Sequence, residues 1–216
     1  PGGRTNHYYF DLNRDWSWQT QLETRQRTVE YLRWNPVVHV DFHEMGGDSY
    51  FFFPAATPVH QSIPDVVMKW QEIYGQGNAE AFDAFGWPYY TEIGFDMYYP
   101  GFGDSWPSMM GAIGMTYEQG GGSSVAIAIR REDGTTHTLR QRAHGHFTTS
   151  MATLRTTAEN RQERLADFLA FFRHALGLGD GPVRSYAFIP GEDPYNADQL
   201  ADLMARQGIE VSVATE

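Results

Sequence analysis

The sequence predicts an α/β protein in three layers (α/β/α), with helices on both faces of a mostly parallel or mixed sheet. Two observations favour this fold class. Apolar, β-branched segments at residues 37–42 and 111–117 are separated by segments of helical periodicity, and such alternation is typical of a sheet packed between helices. In these folds the functional residues lie at the carboxyl ends of the strands.

Each element is predicted from its own pattern. Helices are predicted where apolar residues recur at helical spacing, at residues 20–34, 63–85, 149–176 and 197–206. Strands are predicted where short apolar or β-branched runs stand between turn residues, at residues 37–42, 111–117, 125–129, 135–139, 186–189 and 209–213. Asp133-Gly134 is a strong hairpin signal. The stretches 44–60 and 86–108, rich in glycine and aromatic residues, are predicted to be irregular.

The domain organisation follows from the last three of these elements. A strand, a helix and a strand after residue 180 predict the start of a second α/β unit. We therefore assign residues 1–180 to one domain and residues 181–216 to the beginning of another. A chain that starts at Pro1 and stops directly after an apolar run is expected to be an internal piece of a longer protein.

Composition excludes several classes of partner and site. The formal net charge of −11 argues against binding to nucleic acid and to anionic membrane surfaces. The chain has no cysteine, so it has no disulfides and no thiolate metal site. No apolar run has the length of a membrane span. The compartment stays open, with a secreted or periplasmic location slightly favoured.

Three short islands of sequence, Asp11–Arg14, Val40–Glu44 and Met115–Glu118, carry residue types that a hydrolytic site needs. Asn13 and Arg14 can together hold a carboxylate, although turn-forming residues in a loop would look the same. His43, after an apolar strand, is a candidate metal ligand, or an ordinary core or surface histidine. Glu118 also follows an apolar strand, where a partly buried carboxylate gains basicity; the alternative is a surface carboxylate.

Taken together, these islands resemble the zinc carboxypeptidase family over roughly residues 1–176. The resemblance implies that Asn13 and Arg14 bind the C-terminal carboxylate of a peptide substrate. It implies that His43 is a zinc ligand and that Glu118 is the catalytic general base. A fifth residue, Asp11, would orient a zinc-binding histidine through a hydrogen bond to its ring.

Two further roles follow from the same resemblance. Arg4 matches, by its interval from the Asn-Arg pair, an arginine that stabilises the oxyanion in one branch of the family. A mobile tyrosine of the family falls at Tyr98 or Tyr99, and Tyr99 is preferred. The implied cofactor is Zn²⁺, and the implied reaction is zinc-dependent hydrolysis of the last peptide bond.

The chain departs from the family at one point. The family supplies its first two zinc ligands from a His-x-x-Glu motif upstream of the Asn-Arg pair, and no histidine of this chain is followed by glutamate at that spacing. We expect a truncated family member rather than a metal-free relative, with a sheet incomplete on its N-terminal side. The chain as given should bind zinc weakly or not at all.

Two other functions are compatible with the same residues. A zinc amide hydrolase acting on N-acyl amino acids would use the same zinc, arginine and glutamate. A non-catalytic binding module could instead use the aromatic runs, such as Tyr8-Tyr9-Phe10 and Tyr50 to Phe53, as a peptide or glycan platform. Packing of these aromatic residues in the core is the simpler interpretation.

Overall fold

The computed structural model describes residues 4–47, 49–121, 127–178 and 181–214. In this part of the chain the helices are a 3₁₀ helix at Leu12–Arg14 and α1 (Leu22–Trp34), α2 (Asp65–Asp83), α3 (Ser105–Met109), α4 (Leu139–Glu159), α5 (Arg161–Leu178) and α6 (Pro194–Arg206). The strands are β1 (Val38–Met45), β2 (Tyr50–Phe52), β3 (Ala56–Val59), β4 (Tyr89–Tyr90), β5 (Asp96–Met97), β6 (Ile113–Gly120), β7 (Ala128–Arg130) and β8 (Thr136–Thr138).

The central sheet is mixed and has the strand order β1-β6-β2-β4. Strand β6 runs parallel to β1 and antiparallel to β2, and β2 runs parallel to β4. Strands β3 and β5 form a second, parallel pair, and β7 and β8 form an antiparallel hairpin. The predicted α/β fold class with a mixed sheet is confirmed.

Helices cover both faces of the central sheet. On one face, the Tyr117 hydroxyl of β6 lies 2.8 Å from the Thr153 hydroxyl of α4. On the other face, the Gly114 amide donates to Ser108 of α3 at 3.0 Å. Tyr31 of α1 packs edge-on against a tryptophan of α3 with ring centroids 5.1 Å apart. The three predicted layers are therefore α2 with α4, the sheet, and α1 with α3.

The core is dominated by aromatic side chains. Tyr50, Phe51, Phe52 and Phe53 are each 2% exposed or less, and they pack in one cluster with aromatic residues of α2. Glycine at position 75 lets α2 pack closely against the backbone at Phe53, because a Cβ there would lie 2.8 Å from the Phe53 carbonyl oxygen. This aromatic run therefore belongs to the core and is not a binding platform.

Several predicted boundaries were wrong, chiefly in the aromatic stretches. Segment 44–60 contains β2 and β3, and segment 86–108 contains β4, β5 and α3, where irregular chain was predicted. These strands have only two to four residues, which is too short for alternation to be recognised. Their aromatic residues nevertheless favour strands when a partner strand is present.

The long helix predicted at 149–176 is two helices. Asn160, between α4 and α5, has the non-helical angles φ −102° and ψ 14°. Its side-chain amide donates to the Thr156 carbonyl at 2.9 Å, which ends α4, and its own carbonyl accepts from the Arg164 amide at the start of α5. Asparagine competes for backbone hydrogen bonds in this way and therefore interrupts a helix that apolar periodicity alone would continue.

The hairpin predicted around Asp133-Gly134 is confirmed, with residue pairing from Ala128 to Thr138. Residues 125 and 126 of the first predicted strand lie outside the described residues. The strands predicted at 186–189 and 209–213 are wrong, since the described residues after 181 contain only α6 as regular structure. A short strand needs a neighbour to be stable, and none pairs with these segments in the described part. The domain boundary near residue 180 stays a prediction.

Candidate active site

The pairing of β1 with β6 forms the base of the site. In the parallel register, His43 is paired with Glu118 and Asp41 with Thr116. Side chains two residues apart on a strand share a face, so all four belong to the face that carries α1 and α3. The sequence predicted that His43 and Glu118 follow their strands. Both instead lie inside the strands, two residues before the end, because β1 and β6 continue to Met45 and Gly120.

A hydrogen-bonded cluster holds the imidazole of His43. Its Nε2 atom lies 2.7 Å from Asp41 Oδ2 and 3.0 Å from the side-chain nitrogen of Asn13. Asn13 Nδ2 also donates to Asp41 Oδ2 at 2.9 Å. The hydrogen bond to the Asp41 carboxylate raises the pKa of His43 above its ordinary value, although burial of the ring acts in the opposite direction. The cluster therefore fixes the imidazole and favours its charged form.

Asp41 was missed as a site residue, although the sequence contains a signal for it. It stands two residues before His43 in an apolar, β-branched run, so the period of a strand puts both side chains on one face. The backbone at Gly103 lies directly against Asn13 and Asp41. Only glycine fits there, because a Cβ would lie 2.6 Å from Asn13 Oδ1 and would clash with Asp41 Oδ2.

The Asp-Leu-Asn-Arg island forms the short 3₁₀ helix. The Asp11 carboxylate caps it by accepting from the Asn13 amide at 2.9 Å, a common role of aspartate at a helix start. The same carboxylate forms an ion pair with Arg4 Nε at 2.7 Å. Asp11 thus contacts Arg4 and Asn13, whereas the carboxylate beside His43 is that of Asp41.

Arg14 is held at the end of this helix by two contacts. Its guanidinium donates to the Asn13 carbonyl at 2.8 Å and lies 4.5 Å from the centre of the Phe102 ring. The Tyr99 hydroxyl donates to the Arg14 carbonyl at 3.0 Å and accepts from Trp18 Nε1 at 2.8 Å. Of the two candidate tyrosines, Tyr99 is therefore the one in contact with Arg14.

The environment of Glu118 shifts the pKa of its carboxyl group into the neutral range. The residue is 7% exposed, and its Oε2 atom is buried without a hydrogen-bond partner. Burial raises its pKa to about 7, against the opposing attraction of His43, Arg4 and Arg14. A carboxyl group with this pKa can take up a proton from water near neutral pH and release it again.

Several of these side chains line one cavity of about 240 Å³. It is lined by Arg4, Asn13, Arg14, His43, Gly94, Phe95, Asp96, Phe102, Gly103, Asp104, Thr116 and Glu118. Five of the seven predicted site residues are in this set; Asp11 lines an adjoining depression with His43 and Arg4. Asp104 is buried beneath the cavity and accepts hydrogen bonds from Ser105 and Thr116 at 3.0 and 2.7 Å.

No protein-family model and no curated protein matches the sequence. Among solved structures, the chain is similar to a metallo-carboxypeptidase from Burkholderia cenocepacia, with a TM-score of 0.55 and 17% sequence identity. The chain shares its fold with that enzyme. The similarity covers 72% of this chain and 40% of that one, so the match spans less than half of the length of the neighbour.

A metal centre of the kind the neighbour's description implies needs about three protein ligands. Within the described ranges, no group of three or more histidine, aspartate or glutamate side chains is arranged to hold a metal ion. His43 Nε2 is already occupied by Asp41 and Asn13. The residues present therefore do not fit a complete zinc site.

In the same ranges, no helix combines the length and apolar character needed to cross a bilayer.

Proposed function

We propose that the chain provides the carboxylate-binding and proton-transferring part of a metallo-carboxypeptidase, a hydrolase that removes the C-terminal residue of peptides. The observation that carries this proposal is convergence. Arg14, His43 and Glu118 come from separate parts of the sequence, yet their side chains line one cavity. The shared fold with a metallo-carboxypeptidase supports the same function class.

In this proposal Arg14 binds the terminal carboxylate of the peptide. A guanidinium offers planar, paired N–H donors that match the two carboxylate oxygens. Asn13 lines the cavity beside it, but its side-chain nitrogen donates to Asp41 and contacts His43. The main carboxylate contact is therefore assigned to Arg14, with Asn13 keeping His43 and Asp41 in place. Tyr99 supports Arg14 through its backbone carbonyl.

Glu118 and Arg4 act on the scissile bond in this proposal. Glu118 removes a proton from the attacking water and later delivers it to the leaving amine. Arg4 stabilises the negative oxygen of the tetrahedral intermediate. The ion pair with Asp11 uses one N–H group of Arg4, and a guanidinium carries five. Donors therefore remain for the oxyanion while Asp11 holds the side chain.

Zinc is the proposed cofactor, with His43 as one ligand. Further ligands are required, since no group of three or more potential metal-binding side chains is found among the described residues. Binding of Zn²⁺ to the 216-residue chain, measured by calorimetry, is expected to be weak or absent. Tight binding of one Zn²⁺ per chain would contradict the need for further ligands, and tight binding that persists in His43→Ala would contradict the role of His43 as a ligand.

The substrate class is tested by binding, which does not require a complete metal site. A blocked dipeptide with a free C-terminal carboxylate is expected to bind at least about tenfold more tightly than its C-terminal amide, because a hydrogen bond to a charged group is lost. Arg14→Gln should abolish this difference. Arg155→Gln, which removes an exposed arginine of α4, is the matched control. Equal affinities for acid and amide would overturn the proposal.

Release of free C-terminal amino acids from peptides tests the reaction itself. Hydrolysis should fall by about 10²–10⁴-fold in Glu118→Gln, the usual contribution of a general base. Parallel assays with N-acyl amino acids distinguish a carboxypeptidase from the alternative amide hydrolase. Full activity in Glu118→Gln would show that this residue is not the base.

A further inference from the structure

The 3₁₀ helix that carries Asn13 and Arg14 has few means of holding its own position. It contains three residues, none of which is buried, and Asn13 has the non-helical angles φ −87° and ψ 18°. The hydrogen bonds of so short a 3₁₀ segment have poor geometry and stabilise it little. In the proposed function, on which this inference rests, the position of this helix decides where the peptide carboxylate binds. The helix therefore depends on anchors outside it.

Trp16 supplies the first anchor. Its indole Nε1 donates to Asn13 Oδ1 at 3.2 Å, and its backbone amide donates to the Gly101 carbonyl at 3.3 Å. An asparagine side chain has one oxygen and one nitrogen end. Because the indole holds the oxygen, the nitrogen is turned toward Asp41 and His43, where it lies 2.9 and 3.0 Å from their polar atoms. The indole N–H thus selects which end of the Asn13 amide faces the imidazole.

The Trp16 ring is itself fixed by an aromatic cluster. The residue is 4% exposed, and its ring centroid lies between 5.4 and 5.9 Å from those of Tyr31, His39 and Trp106. A ring packed on several sides cannot turn without disturbing its neighbours. The direction of the indole N–H is therefore set by the packing of α1, β1 and α3.

Arg27 of α1 supplies the second anchor. Its guanidinium lies 3.6 Å from the centre of a Trp16 ring, close enough for a cation–π interaction. The same guanidinium donates to the Leu12 carbonyl at 3.2 Å. Arg27 thus connects the packed tryptophan to the first residue of the 3₁₀ helix, while the indole N–H holds the second residue.

The connection reaches Arg14 through the backbone of Asn13. The Arg14 guanidinium donates to the Asn13 carbonyl at 2.8 Å, so a rotation or shift of Asn13 displaces the group that binds the carboxylate. Neither Trp16 nor Arg27 belongs to the lining of the cavity. We propose that both are positioning residues for carboxylate recognition, which act on Arg14 through Asn13 and Leu12.

The first test removes the indole N–H. Nα-acetyl-alanyl-alanine and its C-terminal amide are titrated into the 216-residue chain, and dissociation constants are measured by calorimetry or NMR. In Trp16→Phe the affinity for the acid should fall about three- to tenfold, the usual effect of one hydrogen bond. The affinity for the amide should stay as in the wild type.

Trp106→Phe is the matched control for Trp16→Phe. Trp106 belongs to the same ring cluster, is 2% exposed, and donates its indole N–H to Gln207 at 3.0 Å. The control therefore loses the same ring area and one hydrogen bond, but no contact with Asn13. Urea unfolding should show a loss of stability in both variants, whereas only Trp16→Phe should lose affinity for the acid.

The second test concerns Arg27 and remains informative where Trp16→Phe does not fold. Arg27→Gln should weaken binding of the acid about threefold. Arg25→Gln is the matched control, because Arg25 lies on the same helix and its Nε donates to the Gln19 carbonyl at 2.7 Å. Both variants lose one positive charge and one bond to a backbone carbonyl, so only the contacts with Trp16 and Leu12 distinguish them.

A double-variant cycle tests the route through Asn13. In an Asn13→Ala protein, the further change Trp16→Phe should cause little additional loss of affinity for the acid, since the residue that transmits the effect is already truncated. Additive losses would mean that Trp16 does not act through Asn13, and would overturn the assignment.

The outcomes separate this inference from the function on which it rests. Wild-type affinity for the acid in Trp16→Phe or in Arg27→Gln overturns the role of that residue, and equal losses in a variant and its control assign the effect to general packing or charge and also overturn it. A preference for acid over amide that depends on Arg14 leaves the carboxypeptidase proposal standing in these cases. Equal binding of acid and amide by the wild type, or no binding of either, overturns both proposals.

Discussion

Strand β6 presents two faces that are built from alternate residues of one eight-residue segment but differ in how their polar atoms are treated. On the face toward α4, Met115 and Tyr117 are fully buried, and the Tyr117 hydroxyl lies 2.8 Å from that of Thr153. On the face toward α3, Thr116 donates to the buried Asp104, and Glu118 keeps one buried oxygen without a partner.

The difference shows that packing and chemistry are separated by a single pleat. The α4 face gains stability from apolar burial and from a paired hydroxyl. The opposite face holds a desolvated carboxylate, which lowers stability because its charged form is unfavourable in a buried place. Truncation of a side chain on the packed face should therefore lower stability, whereas removal of the Glu118 charge from the opposite face should raise it.

The largest effect is expected on the packed face. Met115→Ala should lower the free energy of unfolding by about 2–5 kcal/mol, since it removes a fully buried side chain and leaves a cavity. Thr116→Ser is the adjacent comparison, because it keeps the hydroxyl that donates to Asp104 and loses only a methyl group. Urea unfolding measures both; an equal loss in the two variants would contradict the contrast between the faces.

On the site face the sign should reverse. The pKa of Glu118 is raised by burial to about 7 from 4.5, so between these values the folded protein holds a proton that the unfolded chain has released. Wild-type stability therefore falls as the pH rises through this range. Glu118→Gln should be more stable at pH 8 by about 1–2 kcal/mol after allowance for solvent screening, and about equally stable at pH 4.

Unfolding curves at pH 4, 6 and 8 check this pH dependence. Glu72→Gln, which removes an exposed glutamate of α2, is the control for loss of one negative charge and should show no comparable trend. A Glu118→Gln protein that is less stable than the wild type at pH 8 would mean that the carboxylate is satisfied in the folded protein.

A smaller loss is expected from the hydroxyl pair of the packed face. Tyr117→Phe keeps the ring and its edge-on contact with Phe42 but removes one partner of Thr153. The free energy of unfolding should fall by about 1 kcal/mol, the net value of one hydrogen bond. The double variant with Thr153→Val, in which both partners are gone, should recover part of the loss; additive losses would argue against a direct interaction.

The same contrast explains how much could be predicted from the sequence. Helix α1, the parallel strand β1, and strand β6 follow from apolar periodicity, which reports packing. The positions of Arg14, His43 and Glu118 around one cavity were predicted on the resemblance of three short islands. These predictions rested on continuous sequence patterns or on short motifs whose residue types are common in active sites.

The remainder depended on contacts that periodicity does not encode. The strands of two to four residues exist because neighbours pair with them, and the break at Asn160 depends on one side-chain hydrogen bond. Asp41 was missed because a carboxylate in a strand has many possible partners, and only the folded register brings it against Asn13. Asp96 lay in a segment predicted to be irregular, so its place in the cavity was not foreseen.

The smallest expected effect concerns the cluster at His43. Its pKa is raised chiefly by the hydrogen bond to Asp41, so the charged imidazole contributes stability below its unfolded pKa, and this contribution is lost as the pH rises through the folded pKa. Asp41→Asn should therefore lower the pKa of His43 and reduce stability more at pH 5.5 than at pH 9. NMR titration of the imidazole signals measures the pKa, with the exposed His7 as internal reference. An unchanged His43 pKa would mean that Asp41 holds the ring by shape alone, and the charge balance ascribed to this face of the sheet would then rest on Glu118 and the arginines.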